Sequence, residues 1–183
     1  MPLTQLDDYC ALVIIDLQKG IVGFPMAHPV KEIIDRSAKL ARAFRAKDLP
    51  VILVNVDGVA PGRIDMKFNF TPPPGFSDLI PELEQKPSDY LVTKQRPGAF
   101  IGTGLDEYLR HRSITQIVLT GIATSIGVEA TARSAYYLGY NVALVVDAMT
   151  DIDPQNHQHS VDKIFPKIGE VTETHELLKR LAV

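Results

Sequence analysis

The 183-residue chain is predicted to fold as an α/β protein: a three-layer α/β/α sandwich around a mostly parallel, Rossmann-like sheet of five or six strands. Three observations carry that expectation. Four short apolar runs are continuous rather than alternating, the pattern of strands buried on both faces of a parallel sheet. Helical patterns fall between those runs. The length suits one domain, read here as residues 1–183.

The first strand is Cys10–Ile15. Val30–Lys47 follows as a helix, with apolar residues at 30, 33, 34, 40, 41 and 44, close to a 3.6 period. Val51–Val54 is the second strand and Tyr90–Thr93 a weaker third. Gly104–Arg112 makes a short helix, and Ile117–Leu119 is the fourth strand. Ser125–Leu138 is an alanine-rich helix stopped by Gly139. Val142–Val146 is the fifth strand, Pro154–Phe165 a helix, Lys167–Val171 a candidate sixth strand and Glu173–Leu181 a closing helix. The stretch from Asp57 to Lys86 holds Pro61, Pro72, Pro73, Pro74 and Pro81 and little periodicity. A loop that long reads as a functional lid or an interface arm.

Composition excludes several functions. Lys plus Arg is 19 against 22 for Asp plus Glu, a net charge of −3 that offers no footprint for nucleic acid. The apolar runs are too short to span a bilayer, and no export signal opens the chain, so a cytoplasmic, membrane-free protein is expected. The single cysteine, Cys10, makes no internal disulfide and no zinc cluster. Asn69-Phe70-Thr71 matches a glycosylation sequon by chance. His157 and His159 lie two apart and would point to different faces of a helix, so no metal is expected. Gly102-Thr103-Gly104 lacks the third glycine of a dinucleotide fingerprint, and Gly121 and Gly127 lack the Lys-Ser/Thr of a phosphate loop. No cofactor is expected.

In an open parallel sheet, ligands bind beyond the carboxyl ends of the strands. The residues there are Asp16-Leu17-Gln18, Asn55-Val56-Asp57, Lys94 with Arg96 to Phe100, Thr120 to Gly127, and Asp147 to Asp151. An Asp ending one strand and a Lys ending another can meet across the sheet's mouth and shuttle a proton. The alternative is two solvated charges on unrelated loops.

Ala11-Leu12-Val13-Ile14-Ile15-Asp16-Leu17-Gln18, then Thr93-Lys94 with Gly98-Ala99-Phe100, then Thr120-Gly121-Ile122-Ala123-Thr124 and Val128-Glu129-Ala130-Thr131-Ala132-Arg133, resemble the isochorismatase-like hydrolase superfamily. The likeness runs in order along essentially the whole chain. That family's usual triad is Asp, Lys and Cys. The resemblance puts Asp16 and Lys94 in the first two places and Gly127 where the cysteine is expected. A glycine has no nucleophile to activate. Cys10 cannot replace it, since six strand residues at about 3.3 Å each put it roughly 20 Å from Asp16.

Amidases of this superfamily form an acyl-enzyme on the cysteine. Isochorismatases proper cleave a vinyl ether, keep the Asp and Lys, and carry glycine at the third place. The resemblance therefore implies a cofactor-free hydrolase of a small carboxylated metabolite, isochorismate or a related enol ether. Asp16 would be the general acid, and Lys94 would orient it and tune its proton affinity. A catalytically silent small-molecule-binding or assembly protein of the same fold, and a cysteine-independent amidase, are the other readings. The resemblance also implies a homo-oligomer, a dimer or larger.

The remaining candidates surround these two. Gln18 either orients substrate or caps its loop. Asp57 falls where isochorismatases carry a polar substrate contact, although it would repel a dicarboxylate. Arg63, Lys67 and Arg96 could supply positive charge for carboxylates. Phe100 lines the pocket or packs in the core. Ile122-Ala123 matches the family's non-proline cis peptide, and its N–H groups with those of Ile126 and Gly127 could form an anion-binding nest. Thr124 and Ser125 are helix caps first and substrate contacts second. Ser125 as a nucleophile lacks a histidine placed to activate it.

Overall fold

Six strands form one sheet in the order β3-β2-β1-β4-β5-β6, and every neighbouring pair is parallel. The strands are β1 (Cys10–Ile15), β2 (Val51–Val56), β3 (Tyr90–Lys94), β4 (Gln116–Ile122), β5 (Asn141–Thr150) and β6 (Glu170–Thr172). The helices are α1 (Lys19–Val22), α2 (Val30–Arg45), α3 (Leu105–His111), α4 (Glu129–Tyr137), α5 (Pro154–His159) and α6 (Thr174–Leu181). The computed structural model describes residues 3–65 and 71–182. Lys67, and Asn69 and Phe70 of the sequon, lie outside the described residues.

Alternation along β1 divides the core. Ala11, Val13 and Ile15 face one side, with Leu105 and Leu109 of α3 and Ala132 and Ala135 of α4. Cys10, Leu12 and Ile14 face the other, with Ile33, Leu40, Ala41 and Phe44 of α2 and Leu177 and Leu181 of α6. Both faces are covered, which is why these strands read as unbroken apolar runs. No described helix is long and apolar enough to cross a membrane.

The strand order reverses between β1 and β4, and their carboxyl ends form the crevice where such sheets bind ligands. Close approach there depends on Gly121. At φ +114° it lies beside Ile15, and a Cβ would stand 2.0 Å from the Ile15 carbonyl oxygen.

Several boundaries differ from the sequence reading. β2, β4 and β5 run two to four residues further than their apolar runs, so Asn55, Val56, Thr120, Gly121, Ile122 and Asp147–Thr150 belong to strands. The sixth strand begins at Glu170, because Pro166 cannot donate to a ladder and Phe165–Lys167 winds into a 3₁₀ turn instead. The helix expected from Ser125 opens as a π turn, Thr124–Val128, before α4. The Pro154–Phe165 helix likewise passes into a π turn at Ser160–Ile164. α1 was not expected.

The second half of the proline-rich loop is fastened down. Gly20 N–H donates to the Phe76 carbonyl at 3.0 Å, Lys19 N–H to Asp78 O at 2.9 Å and Ile80 N–H to Leu17 O at 3.3 Å. Gln18 pairs with Leu79 in an isolated antiparallel bridge. Pro81–Leu83 forms a 3₁₀ turn.

Gly121→Ala should cost about 3 kcal/mol or more, combining a forbidden backbone angle with main-chain overlap. Calorimetry should show a melting temperature lowered by about 6–12 °C. A variant as stable as the native chain would refute the close approach of β1 and β4.

Candidate active site

Asp16 leaves the end of β1 at φ +52°, a left-handed conformation that Asp tolerates better than most residues. Its N–H donates to the Val54 carbonyl at 2.9 Å, holding the turn to β2. Lys94 is the last residue of β3, with β2 between it and β1. Two strand spacings of about 4.8 Å separate the backbones, a gap that only a long side chain crosses. Lys94 Nζ donates to Asp16 Oδ2 at 2.8 Å. The two residues are 2% and 6% exposed. The sheet's mouth thus brings together the two charges that could have been solvated on separate loops.

Burial pushes the Asp16 carboxyl up from 3.8 to about 6, and the Lys94 ammonium limits that rise. The second oxygen, Oδ1, is buried and accepts no hydrogen bond from any described residue. A buried orphan acceptor is costly in a protein interior.

Gly127 forms the third corner. A Cβ on it would lie 3.3 Å from Asp16 Oδ2, 3.0 Å from Ile15 Cγ2 and 3.4 Å from the Ile122 carbonyl oxygen. The turn that carries it begins with a cis peptide at Ile122-Ala123, where the family resemblance placed one. Two side chains hold this turn. Thr131 Oγ1 donates to the Gly127 carbonyl at 2.7 Å and accepts from Ala99 N–H at 3.1 Å, joining the turn to the loop after β3. Asp151, 2% exposed, accepts from Ser125 N–H at 2.7 Å and from Ile152 N–H at 2.9 Å.

These bonds correct two expectations. Neither Thr124 nor Ser125 caps the helix; Asp151 does. The Thr124 hydroxyl meets His157 Nδ1 at 2.8 Å instead. The expected nest loses one of its donors, since Ile126 N–H donates to the Ala123 carbonyl at 3.1 Å.

Gln18 is fully buried and braces main chain. Its Nε2 donates to Val56 O at 2.9 Å and Phe76 O at 3.0 Å, and its Oε1 accepts from Val56 N–H at 2.7 Å. Phe100, 8% exposed, sits in the core with its ring 5.9 Å from that of Tyr140. Asp57 is exposed and lines a 260 Å³ cleft with Thr93, Gln95, Arg96, Ile101 and Gly102. Arg63 is exposed, and Ile126 stands exposed on the turn that carries Gly127. Cys10 begins β1 at the sheet's opposite end, and burial pushes its thiol up to about 12. Thr131 and Asp151 escaped the sequence reading as site residues. Asp151 follows a strand and so carried a signal, whereas Thr131 looked like ordinary helix filling.

Residues 10–176 match the isochorismatase domain model. The chain belongs to the isochorismatase family. It is 39% identical over 180 residues to the uncharacterized isochorismatase-family protein YecD of Escherichia coli O157:H7, covering 93% of this chain and 95% of YecD. An isochorismatase-family structure from Burkholderia thailandensis superposes with a TM-score of 0.88 at 42% identity, covering 97% of this chain and 98% of that one. The N-carbamoylsarcosine amidase of Thermoplasma acidophilum shares the fold with a TM-score of 0.73 at 28% identity, over 90% of this chain and 96% of the amidase. The protein is an isochorismatase-family hydrolase.

The raised Asp16 pKa has a sign that can be measured. The folded protein holds this proton more tightly than the unfolded chain does. The stability it confers is complete below pH 3.8 and is lost as pH rises through about 6. Denaturation curves between pH 3.5 and 7 should show the native protein losing up to about 3 kcal/mol relative to Asp16→Asn. Parallel curves for the two proteins would remove the raised pKa.

Proposed function

We propose that the protein hydrolyses a small carboxylated metabolite, isochorismate or a related enol ether, without a covalent enzyme intermediate. The observation that carries this reading is the buried 2.8 Å contact of Lys94 with Asp16, beside a glycine rather than a nucleophile. With its pKa near 6, Asp16 keeps on the order of a tenth of its population protonated at neutral pH, enough for a general acid.

In the proposed reaction, protonated Asp16 gives its proton to the terminal carbon of the enol. The double-bond electrons form the new C–H bond, and the ether oxygen stabilises the resulting cation. Water adds to that cation and releases a proton. The hemiketal then collapses, breaking the original C–O bond to leave an alcohol and a 2-oxo acid. Lys94 stays on Oδ2 throughout, favouring the carboxylate that forms when the proton leaves. Gly127 fills the place of the family's cysteine and offers no atom that could be acylated.

The cleft holding Asp57 and Arg96 supports recognition of the substrate's far end, with Gln18 and Phe100 as framework. Exposed Val59 and Ile64 in the 57–86 loop, and exposed Leu91 on the edge strand β3, support a homo-oligomer with that loop as its arm.

A panel of isochorismate, other enol ethers, amides and ureido acids, followed by mass spectrometry, tests the reading. Turnover should be confined to enol ethers. Cleavage of amides alone would overturn it. On the active substrate, Asp16→Asn should lower kcat by about 10²–10⁴-fold while binding survives. Unchanged turnover would place the chemistry elsewhere.

Thiol reagents should leave native activity intact, because Cys10 is buried and its thiol protonated. Gly127→Cys should alkylate near neutral pH, since its Cβ would lie 3.3 Å from Asp16 Oδ2, a carboxylate able to take the thiol proton. Loss of native activity on Cys10 modification, or an adduct trapped on Ser125, would restore a covalent mechanism.

A further inference from the structure

β5 outruns its neighbour. β6 pairs only with Ala143, Leu144 and Val145, so Val146 to Met149 lie beyond the reach of the last strand. The start of α2 and the α5 segment flank this edge and leave a cleft of about 320 Å³ between them. It is lined by His28, Glu32, Arg36, Asp147 and His157, with Ile33, Val146, Met149 and Val161 as apolar wall. None of these is a residue of the acid–base pair.

The polar groups divide into committed and open ones. All three guanidinium nitrogens of Arg36 are engaged: Nη2 with Glu32 Oε2 at 2.8 Å, Nη1 with the Asp147 carbonyl at 2.8 Å and Nε with Asp147 Oδ2 at 3.5 Å. Asp147 Oδ1 accepts from the N–H and hydroxyl of Thr174. His28 Nδ1 meets the Thr150 hydroxyl at 3.0 Å, and His157 Nδ1 meets that of Thr124 at 2.8 Å. The two rings stand 4.6 Å apart. His157 is 8% exposed, yet its Nε2 bonds to no described residue. Glu32 Oε1 is likewise open among the described residues.

We propose that this cleft is a second small-molecule site, built for a primary ammonium with a short apolar tail. Burial and the neighbouring His28 hold His157 below the ordinary imidazole range, so it is neutral at pH 7. Glu32 and Asp147 against Arg36 leave the charged side chains of the lining one negative charge in excess. A carboxylate is repelled there. An ammonium donates to the Nε2 lone pair of His157, whose Nδ1 then carries the proton toward Thr124, and to the open Glu32 oxygen. Its tail lies on the apolar wall. Among the described residues no three His, Cys, Asp or Glu side chains converge as metal ligands, which favours an organic cation. The site stands independently of the acid–base reading of Asp16 and Lys94.

The test uses n-butylammonium chloride, sodium butyrate and sodium chloride at matched ionic strength and pH 7.5, followed by histidine-detected NMR of the full chain. Butylammonium should give saturable shifts of the His28 and His157 ring signals, and butyrate none. Glu32→Gln, a change at an exposed side chain, should weaken butylammonium binding by roughly fivefold. His157→Phe should abolish saturation while preserving the ring volume; its fold is checked by circular dichroism, and Glu32→Gln carries the test if it fails to fold. Non-saturable shifts, equal binding of butyrate, or an unchanged affinity in Glu32→Gln would overturn the proposal.

Discussion

A carboxylate and an ammonium 2.8 Å apart and almost out of solvent make a costly pair, because desolvation of the two charges competes with their attraction. Three features of the chain exist around that contact. β1 must end in a left-handed residue so that Asp16 turns toward the α3/α4 face. β3 must end in a side chain long enough to cross β2. The turn after β4 must pass close enough to cover both, which a glycine at 127 permits. Replacing either charged partner would leave the other buried and uncompensated, so the pair is weak evidence for stability. Its perturbed proton affinity in a crevice at the switch of strand order is the stronger evidence for function.

The surroundings of the pair are made mostly of main chain, held by polar side chains that have no further groups to offer. Gln18 joins β2 to the 76–80 segment. Thr131 joins the Gly127 turn to the loop after β3, and Asp151 fixes the beginning of that turn. These braces lock the walls relative to one another, which is what proton transfer at a fixed distance requires. Asp16 Oδ1 differs from them in having no internal partner. The distinction separates the residues that brace the site from the one proposed to act in it.

The sheet was legible because its strands are buried on both faces and their apolar runs are unbroken. Their carboxyl ends were not. Thr120, Gly121 and Asn55 are small or polar, and pairing with a neighbouring strand, rather than local preference, keeps them extended. Asp16 and Lys94 were legible as residues just beyond apolar runs, and their meeting followed from the sheet rule. Thr131 was hidden because a threonine inside a helical pattern gives no sign that its hydroxyl serves two segments. The role of Gln18 as a brace depended on Phe76, 58 residues away, which no local pattern could supply.

In the proposed reaction, Gly127 decides which way the proton moves. A side chain at this position would start 3.3 Å from the carboxylate oxygen that Lys94 already holds. A thiol there would be within reach of Asp16, and the carboxylate would serve as its base; that chemistry needs Asp16 ionised. With glycine no protein acid lies at this corner, so the exchangeable proton belongs to Asp16 itself. Its Oδ1 is buried and has no hydrogen-bond partner among the described residues. A pKa near 6 then suits donation, since about a tenth of the group still holds its proton at neutral pH and holds it loosely enough to release it. The same Asp–Lys pair can thus support either a base or an acid, and in the proposed reaction the absence of one side chain selects the acid.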